Sequence, residues 1–110
     1  MIDKRIYELH AEVCKTMSNP KRLEIINLLR KGEKSVEELT SDMRIRKANL
    51  SQHLAVMRAK RIVETRRDGL KIYYKIANPK VVKACDIMRE VLMEQLASNQ
   101  DLAGKIRDKR

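Results

Sequence analysis

One dipeptide restricts the architecture of this chain more than any other: Asp68-Gly69. It separates Ile62–Arg67 from Leu70–Ile76, two runs with the alternation and β-branched content of strands, and Asp-Gly in that setting signals a two-residue hairpin. Pairing across such a turn sets Arg67 opposite Leu70, Thr65 opposite Ile72 and Val63 opposite Tyr74. Val63, Thr65, Ile72 and Tyr74 then share a face that can pack on a core. The other face sets Arg66 against Lys71, a like-charge pair that is unfavourable unless water or a phosphate screens it. Around this hairpin the chain reads as helix.

The helices announce themselves by period and by caps. Ile2, Ile6, Leu9, Val13 and Met17 recur at three- and four-residue spacing, the stripe of an amphipathic helix. Ser18-Asn19-Pro20 ends it and starts a second helix, with Asn19 as the cap and Pro20 in the first turn. That helix passes Leu23, Ile26 and Leu28-Leu29 and is expected to stop at Gly32. Ser35-Val36-Glu37-Glu38 has the form of a capping box and opens a short helix to about Met43. Across a tight connection at Arg44-Ile45, a longer helix covers roughly Lys47 to Lys60, with Leu50, Leu54 and Met57 inward. Asn78-Pro79 precedes a last helix through about Ala97, striped by Val81, Cys85, Met88, Leu92 and Leu96. The expected fold is mainly α with a small β-hairpin.

At 110 residues the chain has room for one domain. We take residues 1–97 as that domain and 98–110 as a polar tail, expected to fray. There is no Phe or Trp and only three Tyr, so the core must be aliphatic and thin. Small domains of this kind often gain stability from a second subunit. No apolar run approaches the roughly 18 residues of a membrane span. The first residues lack the apolar stretch of a signal peptide, so a cytoplasmic protein without a membrane partner is expected.

The net charge of +10 is unevenly placed. Residues 1–43 hold eight basic and eight acidic side chains. The stretch from Arg44 to Lys75 holds ten basic residues against Glu64 and Asp68, and so carries +8 of the total. A contiguous basic segment is the electrostatic footprint of a polyanion-binding surface.

That segment coincides with a short capped helix, a tight turn, a polar-faced helix and an Arg-rich hairpin, which together make a winged helix-turn-helix. An α-helix fits the major groove of duplex DNA, and a two-stranded ribbon can lie along the neighbouring backbone or minor groove. Lys47, Asn49, Ser51, Gln52 and His53 cluster in the first two turns of the second helix, the part that reaches base edges in this docking. Asn and Gln can bond adenine through two atoms, while Ser51 and Lys47 suit phosphate or guanine. Arg44, Arg46, Arg58, Lys60, Arg61, Arg66, Arg67 and Lys71 would hold the backbone, giving affinity and register but little sequence information.

The runs Ser18-Asn19-Pro20-Lys21-Arg22-Leu23, Ser35-Val36-Glu37-Glu38-Leu39, Asn49-Leu50-Ser51-Gln52-His53-Leu54 and Arg66-Arg67-Asp68-Gly69 with Tyr73-Tyr74 resemble the ArsR/SmtB family of bacterial and archaeal repressors. The resemblance covers roughly residues 5–96. It implies a homodimer through the first and last of five helices, an operator in double-stranded DNA, and release on binding an inducer. Two positions depart from the family pattern. Arg44 stands where a turn glycine is common, and Arg46 stands where a serine cap is common. A left-handed Arg44 would cost about 1 kcal/mol, and loss of the cap about as much.

The resemblance also bears on sensing. Metal-sensing members carry thiols in the helix that begins here at Ser35, and this chain has none there. Members that sense zinc through the last helix use Asp and His, and no His follows His53. What remains is Cys14 on the first helix and Cys85 on the last, the two helices that the resemblance places at a dimer interface. If their Cα atoms lie within about 7 Å, a disulfide or polysulfide bridge can form. Reactive sulfur or an oxidant would then be the inducer. Free cysteine is equally at home as a small buried hydrophobe. A third reading takes His10 and Cys14, four apart on one helix face, with Cys85 as ligands for zinc or arsenite. A ligand-independent nucleic-acid-binding protein is the remaining alternative. An enzyme is not expected, since no phosphate loop, carboxylate pair or triad is present, and no cofactor is implied.

Overall fold

The computed structural model describes residues 2–99 and divides into two units, one ending at Pro79 and one beginning at Lys80. The first contains α1 (Arg5–Met17), α2 (Pro20–Leu28), β1 (Lys34–Ser35), α3 (Val36–Met43), α4 (Lys47–Ala59), β2 (Val63–Asp68) and β3 (Lys71–Ile76), and the second contains α5 (Lys80–Ala97). The five helices and the hairpin are therefore present. The expectation of a frayed tail falls mostly outside the described residues. Ser98 and Asn99, which are described, still bond back to Gln95 and Leu96 at the helix end.

Local chemistry sets most boundaries. Asn19 is extended, and its side-chain oxygen accepts from the amides of Lys21 and Arg22, while Pro20 fills the first helical position. The second helix stops at Leu28 rather than Gly32. The chain tightens there, as Arg30 N–H donates to the carbonyl of Asn27, and Gly32 (φ 146°) serves the following loop instead of a helix cap. At Ser35 the capping box is complete: its hydroxyl accepts from Glu38 N–H, and its own N–H donates to Glu38 Oε1, each at 3.1 Å.

The hairpin register differs from the expectation. Asp68 pairs with Lys71, so the two loop residues are Gly69 and Leu70, not Asp68 and Gly69. Only Gly69 has a positive φ (62°), the pattern of a type II′ turn with glycine first. The residue without a Cβ thus takes the left-handed position, and Asp68 stays in the strand opposite a lysine. The expected face (Val63, Thr65, Ile72, Tyr74) survives, but Val63 now pairs with Ile76, Thr65 with Tyr74 and Arg67 with Ile72. Arg66 faces Tyr73 and Glu64 faces Lys75, so the like-charge pair of Arg66 and Lys71 does not exist. A further strand escaped the sequence: β1 adds to the other edge of β3, giving the order β1-β3-β2. Two residues are too few to show an alternating pattern.

The core lies between α2, α3, α4 and the sheet. Ile25, Ile26, Leu29, Leu39, Leu50, Leu54, Met57, Ile62 and Val63 are fully buried, each contributing roughly 1.5–3 kcal/mol of transfer free energy. Leu50, Leu54 and Met57 face inward as their spacing requires. The first helix is different. Thr16 is its one buried residue, Ile6, Leu9 and Val13 lie exposed along its stripe, and Ile2, expected on that stripe, is exposed ahead of the helix start at Arg5. In the second unit α5 buries no residue at all, and Ile87, Met88, Val91 and Leu92 are exposed.

Candidate nucleic-acid interface

The turn between α3 and α4 is made by Arg44 in the left-handed conformation (φ 54°, ψ 44°), which costs an L-residue roughly 1 kcal/mol. Arg46 then occupies the cap position of α4, extended and without a side-chain cap bond, and no acidic residue stands in the first turn. The first amides of α4 thus lack the acceptor that a Ser or Asp cap would supply, at the positive end of the helix dipole. Arg44, Arg46 and Lys47 surround them, all exposed. Uncapped amides beside three cations form a surface suited to a phosphate.

From this end the reading face follows directly. With Leu50 and Leu54 buried, Asn49, Ser51 and Gln52 are left exposed in the first two turns. The structure brings these six residues together at one end of α4. His53 belongs to another arrangement. It is half-buried, and its Nδ1 accepts from Arg22 Nε of α2 at 3.2 Å. The same guanidinium donates through Nη1 to the Thr16 carbonyl at the end of α1, at 3.0 Å. Burial first, then the nearby charges of Arg22 and Lys21, hold the imidazole below its ordinary pKa and keep it neutral. A neutral acceptor is what the Arg22 bond requires.

The other basic residues divide into committed and uncommitted. Lys60 donates to Glu12 of α1 at 3.1 Å, about 20 Å along the helix from Lys47 by its rise per residue. Arg61, just past α4, is also left-handed (φ 58°). Its N–H donates to the Arg58 carbonyl and that of Ile62 to the Met57 carbonyl, closing a Schellman motif. On the wing, Arg66 is gripped by Glu33, with Nη2 to Oε1 at 2.6 Å and Nε to Oε2 at 3.1 Å. Its guanidinium lies over the Tyr73 ring, 4.6 Å from the centroid. The paired Arg66 holds the Glu33 carboxyl below the usual carboxylate range. Arg67, on the opposite face, and Arg44, Arg46 and Arg58 have no carboxylate partner among the described residues.

Glu33, Arg22 and Tyr73 carry structural weight here that the sequence did not reveal. Arg22 and Tyr73 sit inside the family-like runs, which was the available signal; an acid in a polar loop, such as Glu33, offers none. Of the sensing candidates, His10 and Cys14 are exposed on α1, and Cys85 is half-buried on α5. Among the described residues no three His, Cys, Asp or Glu side chains are gathered around a possible metal position. None of the described helices is long and apolar enough to cross a membrane.

Comparison with known proteins fits this geometry. The profile of bacterial regulatory proteins of the arsR family matches residues 19–65, from the Asn19 cap into β2. The HTH-type transcriptional regulator Rv0081 of Mycobacterium tuberculosis is 39% identical over 98 residues, spanning 88% of this chain and 86% of its own length. The chain belongs to the ArsR family. The crystal structure of Rv0081 superposes with a TM-score of 0.78 over 86% of this chain and 95% of that one. The transcriptional repressor PagR of Bacillus anthracis is 43% identical over 72 residues, 64% of this chain and 72% of its own. The homodimeric winged helix-turn-helix DNA-binding domain of Mb0332 from Mycobacterium bovis, solved by NMR, is 30% identical with a TM-score of 0.76, covering 84% and 86%. This ArsR-family protein is accordingly a DNA-binding transcriptional regulator with a winged helix-turn-helix, and not an enzyme.

Proposed function

We propose that this ArsR-family regulator is a homodimeric repressor that leaves its operator when Cys14 and Cys85 react with reactive sulfur or an oxidant. The observation that carries the dimer is the unfilled apolar surface of the outer helices. The first helix exposes Ile6, Leu9 and Val13, and α5 exposes Ile87, Met88, Val91 and Leu92 while burying nothing. An amphipathic helix gains most of its stability by covering such a face, and a second copy supplies the cover. A relative that is described as homodimeric supports the same reading.

DNA is held in two ways. Asn49, Ser51 and Gln52 read base edges, while Arg44, Arg46, Lys47 and the uncapped amides of α4 hold phosphates, with Arg67 and Lys71 doing so from the wing. Each cysteine lies on one of the two uncovered helices, Cys14 exposed and Cys85 half-buried, so chemistry on the thiols acts where the subunits would meet. With peroxide, the two thiols and one hydrogen peroxide give a disulfide and two waters. With a polysulfide such as H2S4, one sulfur stays between the two cysteines and the rest leaves as hydrogen sulfide and H2S2, which carry off the thiol hydrogens and the electrons. Mass spectrometry after peroxide, polysulfide and arsenite, with operator binding measured in parallel, tests this. A Cys14–Cys85 bridge that coincides with release is expected, and C14S and C85S should remain bound. Release of the C14S/C85S double variant by the same reagents would sink the thiol mechanism.

A further inference from the structure

The wing carries two adjacent arginines that the structure treats in opposite ways. Arg66 uses two donors on Glu33, and its Nη1 lies 4.0 Å from Asp68. Its guanidinium is thus turned to two carboxylates and stacked on Tyr73. Glu33 directly precedes β1, Tyr73 is on the central β3 and Arg66 is on β2, so the contact crosses all three strands of the sheet. Arg67 is exposed on the other face, opposite Ile72, with no carboxylate partner among the described residues. With its Nε–Nη2 edge committed to Glu33 and its charge offset by that carboxylate, Arg66 keeps only its remaining Nη protons for a phosphate. It is a weaker partner than the unpaired Arg67, which can offer a whole edge.

We propose that Arg66 is not a phosphate contact but a positioning residue: Glu33 and the Tyr73 ring hold it so that it sets the angle of the hairpin and aims Arg67 and Lys71 at the DNA backbone. The inference rests on the reading that the wing meets DNA. Glu33 thereby becomes a determinant of DNA binding although it is acidic and would touch no nucleotide. A carboxylate near a polyanion ordinarily weakens binding, so removing it should strengthen binding unless it positions something.

The test compares E33Q, R66Q and R67Q by operator affinity across a salt series, with thermal unfolding measured alongside. E33Q and R66Q should each weaken binding by about tenfold, as expected for residues acting through one shared contact. Their log–log salt slopes and melting temperatures should stay at the wild-type values. R67Q should flatten the slope by about 1.8 for a dimer, at about 0.9 for each phosphate no longer neutralised. The swap E33R/R66E should recover most of the affinity that R66E alone gives up, again at the wild-type slope. Tighter binding by E33Q, or a slope for R66Q flattened as much as for R67Q, would overturn the proposal and make Arg66 an ordinary phosphate contact. An unchanged R67Q with weakened E33Q would instead retract the wing's phosphate contacts and leave the reading helix alone on DNA, which also overturns it.

Discussion

Both ends of α4 are flanked by an arginine in the left-handed conformation, Arg44 before it and Arg61 after it, yet the two ends are finished differently. Past the C-terminal end the strained residue closes a Schellman motif, and the last carbonyls of the helix find donors in Arg61 and Ile62. Buried Ile62 follows at once, so strain there is offset by bonding and packing. The N-terminal end has neither compensation. Arg44 is strained, Arg46 makes no cap bond, and the first amides lie among three exposed cations. Strain that local contacts do not offset points to a site shaped for something outside the chain. One end of the helix is completed by the protein, and the other is left open, as the proposed DNA contact requires.

The largest effect that sharpens this contrast comes from the reading residues. Replacing Asn49 and Gln52 together by Ala should cost about 1–3 kcal/mol of discrimination for each two-atom bond to a base that the variant can no longer form. Competition between operator and random duplex measures it. Weakening shared equally by both duplexes would mean that the N-terminal end holds DNA without reading it.

Next come the two left-handed arginines themselves. R44G and R61G should each raise stability by about 1 kcal/mol by removing the Cβ clash, a rise in melting temperature of about 4–8 °C for a domain near this size. Their effects on DNA should diverge. R44G should weaken operator binding and flatten the salt slope by about 1.8 per dimer, while R61G leaves both near wild type. If R61G weakens DNA binding as much as R44G, the two ends are not functionally distinct.

Much of this contrast was legible in the sequence, and the reasons it was are specific. Helix period, the Asn19 cap and the Ser35 capping box are local, and each appeared where its chemistry required. Arg44 and Arg46 were visible as departures from a family pattern, because a glycine and a serine are what the backbone there would ordinarily favour. The hairpin was legible but its register was not: Asp-Gly satisfies more than one two-residue turn, and the choice fell to cross-strand pairing of Glu64 with Lys75 and Asp68 with Lys71. Arg22–His53, Lys60–Glu12 and Arg66–Glu33 join residues 31 to 48 positions apart. No local pattern records such pairs, so the sequence shows His53 and Arg66 as polar and basic surface without the partners that hold them.

A smaller effect follows from Arg46. R46S should restore the absent cap and add about 1 kcal/mol to stability, measured by denaturant midpoint at unchanged slope. The same change removes a cation and supplies the amides with an internal acceptor, so DNA affinity should fall as stability rises. Parallel gains in both would show that the uncapped helix start is a defect rather than a binding feature.

The smallest effect concerns the middle of the helix, where His53 ties it to α2. Its folded pKa lies below the unfolded value near 6.5, so the folded state favours the neutral imidazole that accepts from Arg22. Above about pH 6.5 both states are neutral and the contribution to stability is fully present. As pH falls below 6.5 the unfolded chain takes up the proton first, and the contribution is lost progressively toward the folded pKa. Denaturant titrations of the wild type between pH 8 and 5.5 should therefore show declining stability. H53Q offers a side-chain oxygen to Arg22 and has no proton to gain, so the decline should be shallower by the His53 share. An equal decline in H53Q would assign the pH dependence to other groups. If operator binding also falls faster in the wild type than in H53Q, the Arg22 bond orients the reading residues as well as stabilising the fold, and the two ends of α4 are held in register from its centre.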